Sequence, residues 1–196
     1  GRASFMVDGQ GVVLGARGLQ QAGNALLAWT VGKDLGLAPA AMAAALGRAE
    51  LPGGRGQVLQ HGGLTVLDDS YNANPASFLA AIATAQAMRA GRRLVFVAGT
   101  MKELGEGSAA YHREVAAALV ALHPDLLAAE GEFVPALEPH RAALGGALLT
   151  APDAPALGAL LRERLRGDEL VVLKASRGAA LERILPYLGL TPTTSH

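Results

Sequence analysis

The run Asp68-Asp69-Ser70-Tyr71-Asn72-Ala73-Asn74-Pro75 gathers two carboxylates, a hydroxyl, a phenol and two carboxamides in one short stretch. A carboxylate can accept hydrogen bonds from both hydroxyls of a diol, and carboxamides donate as well as accept, so the set suits a polar ligand. Leu64-Thr65-Val66-Leu67 before it is apolar and β-branched and reads as a buried strand. Ala76 to Met88 after it is rich in Ala, Leu, Ile and Met and predicts a helix. Asn74 suits the N-cap of that helix, and Pro75 its first turn, where no amide is needed. The octet thus sits where a strand feeds a helix, and ligands of open α/β sheets bind along that edge. The plain alternative is a solvated turn, because Asp, Asn and Pro are ordinary turn formers.

Two other junctions have the same character. Leu94 to Ala98 runs into Gly99-Thr100-Met101-Lys102-Glu103-Leu104-Gly105, with His112 on the following helix. Leu170 to Leu173 runs into Lys174-Ala175-Ser176-Arg177, which opens the last helical stretch. If the strands are parallel, both loops share the edge of the octet. A lysine and an arginine at a helix start offer donors and positive potential to a phosphate or carboxylate. Their alternative is a pair of solvated charges, bridged to Glu182. Glu103 and His112 read either as ligand contacts or as surface groups at a helix start. No GxxxxGK[ST] phosphate loop occurs in the chain, and Lys33 after Gly32 is not part of one.

The elements that must position these loops follow from the apolar pattern. Ala3 to Val7, the turn Asp8-Gly9-Gln10-Gly11 and Val12 to Leu14 form a β-hairpin. Helices are expected from Asn24 to about Leu35 and from Ala38 to Leu46, with Leu26, Leu27 and Trp29 needing a partner surface. Such an opening looks like the end of a domain that begins upstream. Pro52-Gly53-Gly54-Arg55-Gly56 reads as a linker, which divides the chain into residues 1–52, 53–190 and a frayed tail, 191–196. Beyond it, strands are expected at 57–60, 64–67, 94–98, 126–129, 147–150 and 170–173. Helical stretches start at Pro75, Ser108, Phe133 (to Ala143), Ala154 and Arg177. The alternation predicts an α/β domain, a Rossmann-like, mostly parallel sheet with helices on both faces. His61-Gly62-Gly63 is too short for a crossover, so the first strand should pair antiparallel with the second.

Composition narrows the partners. Hydrophobic residues make up 51% and charged residues 17%, which supports a substantial core. Aromatics are only 4%, so Ala, Leu and Val must fill it. Lys plus Arg and Asp plus Glu balance at 17 each, against a nucleic-acid or membrane surface that would favour basic excess. There is no cysteine, hence no disulfide and no thiolate metal site. With no signal peptide or long apolar run in view, a cytoplasmic protein is expected.

The octet resembles the signature of the Mur ligases, in the spelling of their D-alanyl-D-alanine-adding branch (MurF), and the resemblance extends from Gly18 to about Leu188. Gly18 to Leu26 resembles G-x-H-N-x-x-N-A-L, with Asn24 matching and Gln20 and Gln21 replacing His and Asn. Gly99 to Gly105 resembles G-D-M-x-E-L-G with Thr100 in place of the acid. Lys174 to Arg177 with Glu182 resembles K-G-S-R followed by M-E, with Ala175 replacing Gly and Leu181 replacing Met. The resemblance implies part of a three-domain, ATP-dependent amide ligase of peptidoglycan synthesis. ATP would phosphorylate the carboxylate of UDP-N-acetylmuramoyl-tripeptide, and the amine of D-alanyl-D-alanine would attack the acyl phosphate. Mg2+ and the phosphate loop would lie upstream of Gly1, leaving no catalytic or metal residue in this portion. ATP contacts would fall to Asn24 (adenine), Arg55 (phosphates) and Asp69 (ribose), with Tyr71, Asn72 and Asn74 beside them. Substrate contacts would fall to Lys174, Ser176, Arg177 and His112. The departures at Gln20, Gln21, Thr100 and Ala175 leave a second reading, a non-catalytic module that binds a nucleotide or a protein. A folylpolyglutamate-synthase-like ligase is a third, which the octet's spelling disfavours.

Overall fold

The computed structural model describes residues 2–17, 19–49 and 53–191, in two compact units, Gly1–Pro52 and Gly53–His196. Gly18, Pro52 and most of the expected tail, 192–196, lie outside the described residues.

In the first unit, β1 (Arg2–Val7) and β2 (Gln10–Arg17) form an antiparallel hairpin. Its turn is only Asp8-Gly9, both left-handed at φ 47° and 76°, because a two-residue turn of that hand matches strand twist. Gln10 and Gly11, expected in the turn, belong to β2. Helix α1 (Leu19–Asp34) starts before Asn24, over helix-forming glutamines that carry no apolar period, and α2 (Pro39–Arg48) follows. Val12, Leu14, Ala25, Trp29 and Met42 form the core of this unit. The hairpin tip is tied to α1 through Asp8 Oδ2, which accepts from Trp29 Nε1 at 3.1 Å and from Lys33 Nζ at 2.9 Å. Leu27, Val31 and Leu35 recur at helical spacing yet are 70%, 59% and 73% exposed.

The second unit contains β3 (Gln57–His61), β4 (Leu64–Asp69), α3 (Pro75–Arg89), β5 (Leu94–Ala98), α4 (Ser108–Ala121) and β6 (Leu126–Ala129). Short helices α5 (Phe133–Leu137) and α6 (Arg141–Leu144), β7 (Leu148–Thr150), α7 (Ala154–Arg164) and β8 (Leu170–Lys174) complete it. Among the described residues the strands form one six-stranded sheet, ordered β3-β4-β8-β5-β6-β7. Only β3 runs antiparallel, as its short connection requires.

Alternating side chains divide the core between the two faces. Leu67, Phe96, Leu127 and Val172 pack with Phe78 of α3, Leu119 of α4 and Phe133 of α5. Val66, Val97, Ala128 and Val171 pack with Leu157 and Leu161 of α7 and with Ile184 and Leu185. Across the two faces together leucine and valine predominate, and Ala98, Ala128 and Ala129 are fully buried among them.

Two expected helices differ in form. Phe133 to Ala143 is broken by a 3-10 turn at Glu138–His140, where Pro139 supplies no amide. The segment from Arg177 is two 3-10 pieces, Arg177–Ala179 and Leu181–Leu188, separated by left-handed Ala180 (φ 52°) and containing Pro186. Among the described residues no helix is long and apolar enough to cross a membrane.

At the opposite end of the sheet, the fully buried Glu169 anchors the turn into β8. Burial pushes its pKa up, but the amides of Arg166, Gly167 and Glu169 itself outweigh burial together with Arg93. Arg93 adds an ion pair at 2.8 Å, and the net effect holds the carboxyl below its ordinary 4.5. A depressed carboxyl stabilises the fold above its unfolded pKa and loses that contribution as pH falls through the folded value. Glu169→Gln should therefore cost about 1.5–3 kcal/mol at neutral pH. It should also flatten the acid limb of stability below pH 4.5, as urea unfolding at several pH values would reveal.

Candidate functional site

Parallel pairing fixes the geometry of the edge. Asp69 of β4 lies opposite Lys174 of β8, and Lys174 opposite Ala98 of β5. The three polar loops therefore leave neighbouring strand ends on one side of the sheet, with β8 in the middle.

Lys174 is not the solvated cation that its sequence context allowed. It is 2% exposed, and its partner is Asp69 rather than Glu182. Nζ lies 2.7 Å from Asp69 Oδ2 and donates to Asn72 O at 2.7 Å and Asp69 O at 3.4 Å. Burial raises the Asp69 pKa, opposed by Lys174 and by the Gly56 amide. Asp68 is also raised by burial and is held by Ser70, whose N and Oγ both donate to Oδ1.

The octet closes on its own helix. Asn74 Oδ1 accepts the Ser77 amide at 2.8 Å while Ser77 Oγ accepts the Asn74 amide at 3.0 Å, a reciprocal cap for α3. That oxygen is engaged by the cap. Asn72 Oδ1 accepts the amide of Ala73 at 2.9 Å, and its side chain is otherwise at the surface.

Ser176 and His112 also have structural partners. Ser176 Oγ accepts the Lys102 amide at 2.9 Å and donates to Ala73 O at 3.3 Å, joining the loops after β8, β5 and β4. His112 is fully buried with its ring edge against Phe133, 4.9 Å between centroids. Its Nε2 accepts the Met101 amide at 2.9 Å, so Nδ1 carries the proton and donates to Ser108 O at 2.8 Å. A ring held in this way braces the β5 loop from within the core.

Thr100 and Ala175, two of the departures, are packing residues. The Thr100 amide donates to Glu130 Oε1 at 2.9 Å, and Thr100 Oγ1 accepts the Glu132 amide at 3.1 Å. Ala175 is fully buried, its Cβ facing Gly99. Glu130 was invisible in the sequence because it follows an ordinary apolar strand, yet it is buried and its pKa is raised by that burial. Glu103 is exposed and left-handed at φ 65°.

The outward side is cationic and aromatic. The guanidinium of Arg55 lies 4.0 Å from the Tyr71 ring centroid and that of Arg177 lies 5.4 Å from it. Arg55 first, then Arg177, lowers the phenol pKa by hydrogen bonding and charge. Gly54 makes this possible: its carbonyl accepts the Tyr71 amide at 2.9 Å, and at φ 74° a Cβ would come 3.1 Å from that nitrogen. Two exposed guanidiniums beside one ring can take an anion and a flat ligand together. Asn24 lies in the first unit, where Nδ2 donates to Gln21 Oε1 at 3.1 Å.

Removing the hydroxyl tie should free one loop amide without unfolding the sheet. Ser176→Ala should cost about 1 kcal/mol locally, or roughly a fivefold loss of protection at the Lys102 amide. Hydrogen exchange followed by NMR would measure it, and the amides of β8 should remain protected.

Known proteins are similar in both sequence and fold. The family model described as "Mur ligase, glutamate ligase domain" matches residues 54–177. A UDP-N-acetylmuramoyl-tripeptide–D-alanyl-D-alanine ligase of Mycobacterium tuberculosis is 36% identical over 200 aligned positions, covering 90% of this chain and 39% of the relative. MurF from Acinetobacter baumannii superposes with a TM-score of 0.78 at 26% identity, covering 91% of this chain and 40% of that one. MurF from Thermotoga maritima, solved in complex with ADP, gives 0.76 at 26% identity, covering 95% and 42%. The chain thus spans about two fifths of the length of these relatives. With the matched region running from Gly54 to Arg177, more than half of the chain and the whole strand-end site, this chain belongs to the Mur ligase family.

Proposed function

We propose that the chain is the C-terminal portion of an ATP-dependent ligase that adds D-alanyl-D-alanine to UDP-N-acetylmuramoyl-tripeptide in peptidoglycan synthesis. The observation that carries this reading is the strand edge itself. A buried carboxylate, Asp69, stands beside two exposed guanidiniums on Tyr71, within a chain 36% identical to such a ligase. That donor and acceptor set fits a nucleotide: acceptors for ribose hydroxyls, cations for phosphates and a ring for stacking.

When bound, ATP supplies the phosphoryl group that turns a carboxylate into an acylating agent. Asp69 accepts ribose hydroxyls on the oxygen sites that Lys174 and the Gly56 amide leave open. Arg55 neutralises phosphate charge, and Arg177 orients an anionic substrate from the neighbouring loop. Tyr71 keeps both guanidiniums apart and in place, and Asn72 offers its exposed amide beside them. In the first unit the Asn24 carboxamide is the contact offered to adenine. That unit is the end of the central nucleotide-binding domain, and its exposed Leu27, Val31 and Leu35 pack against the remainder of it. Among the described residues no group of three His, Asp or Glu side chains could hold a metal. In this reading Mg2+ and the phosphate loop belong to the part of the ligase outside this chain, and the reaction belongs to the cytoplasm, where ATP is available.

In the complete ligase, Asp69→Asn should raise the KM for ATP roughly ten- to hundredfold, the loss of one charge-assisted bond of about 1.5–3 kcal/mol. Steady-state kinetics at varied ATP checks this, and an unchanged KM refutes the ribose role. The isolated chain should release no phosphate from Mg-ATP. A complete protein that binds ATP but never forms the amide would instead be a non-catalytic module.

A further inference from the structure

Lys174 stands apart from the other cations of the edge. Arg55, Lys102 and Arg177 are exposed, whereas Lys174 is 2% exposed at the end of a central strand. An ammonium has three N–H donors and no acceptor. Asp69 Oδ2 at 2.7 Å, Asn72 O at 2.7 Å and Asp69 O at 3.4 Å account for all three. No donor is left for a phosphate or a substrate carboxylate, and the octet backbone closes over the amine.

We infer that Lys174 is a positioning residue rather than a ligand of any substrate. It orients the Asp69 carboxylate and pins the two octet carbonyls that set the path from β4 to α3. Its register partner makes this possible, since Asp69 and Lys174 are opposed across adjacent parallel strands. The two carbonyl bonds turn the backbone so that Asn74 reaches its capping position while Tyr71 faces the two arginines. Asp69 receives Lys174 on one oxygen and the Gly56 amide as well, so the carboxylate that the lysine orients also holds the start of the second unit. This assignment concerns contacts within the chain itself and stands whether or not the complete protein is a ligase.

NMR of the chain's lysine ammonium groups and carboxylates tests it. In the wild-type protein Lys174 should give a slowly exchanging 15Nζ signal that Asp69→Asn shifts and that excess sodium pyrophosphate leaves in place. A 15Nζ signal that moves on adding pyrophosphate would make Lys174 an anion ligand and overturn the inference. In Lys174→Met, the Asp69 13Cγ titration should move to higher pH, because burial still raises this carboxyl and its main opposing charge is gone. An unchanged midpoint would likewise overturn it. If Lys174→Met does not fold, the wild-type pyrophosphate titration and the Asp69→Asn response decide alone.

Discussion

The ion pair between Asp69 and Lys174 governs this structure because both charges lie at the ends of buried strands. Removing two ions from water costs on the order of several kcal/mol each, repaid only if geometry is close and the remaining donors find partners. Here the pair is 2.7 Å apart and the lysine's other protons meet carbonyls of the same loop. Such a pair is weak evidence for net stability. Its effect is selective: a strand register shifted by one residue would leave two buried charges unpaired. The pair thereby favours this register of β4 beside β8 at the edge where the polar loops emerge.

From that anchor the edge separates into an inner and an outer layer. The inner layer is a chain of bonds running across the strand ends, from Ala73 through Ser176 and Lys102 to Thr100 and Glu130. His112 closes it from below by holding the Met101 amide. These groups spend their hydrogen bonds on backbone and become scaffold. The outer layer, Arg55, Tyr71 and Arg177, is held by stacking and charge rather than by saturated bonds, so its donors stay available. The chemistry that a ligand would meet is therefore carried by fewer residues than the polar composition of the loops suggests.

Much of this was legible in the amino-acid order. Apolar runs of strand length punctuated by Gly and Pro predicted every strand of the sheet within a residue or two, and the short His61-Gly62-Gly63 link dictated the antiparallel pair. The cap at Asn74 followed from local backbone chemistry, which needs no distant partner. Where local rules competed, the reading failed. Pro139 and Pro186 withheld amides that an apolar helix pattern ignores, and Ala180 took a left-handed conformation that composition does not announce.

Sequence alone determined the α/β architecture, the polar octet and the family resemblance, because each depends on residue type and on spacing along the chain. Only the tertiary structure decided which of the polar residues are buried and which stay exposed. Lys174 and Arg177 are three positions apart and indistinguishable as cations, yet one is buried in the sheet and the other lies on Tyr71. The hydrogen bonds of Ser176 to Lys102 and Ala73, far away in sequence, and of His112 to Met101 could be read only from the fold. The physical reason is that burial and hydrogen-bond saturation are properties of the neighbours a fold supplies. No side chain carries that information in its own identity.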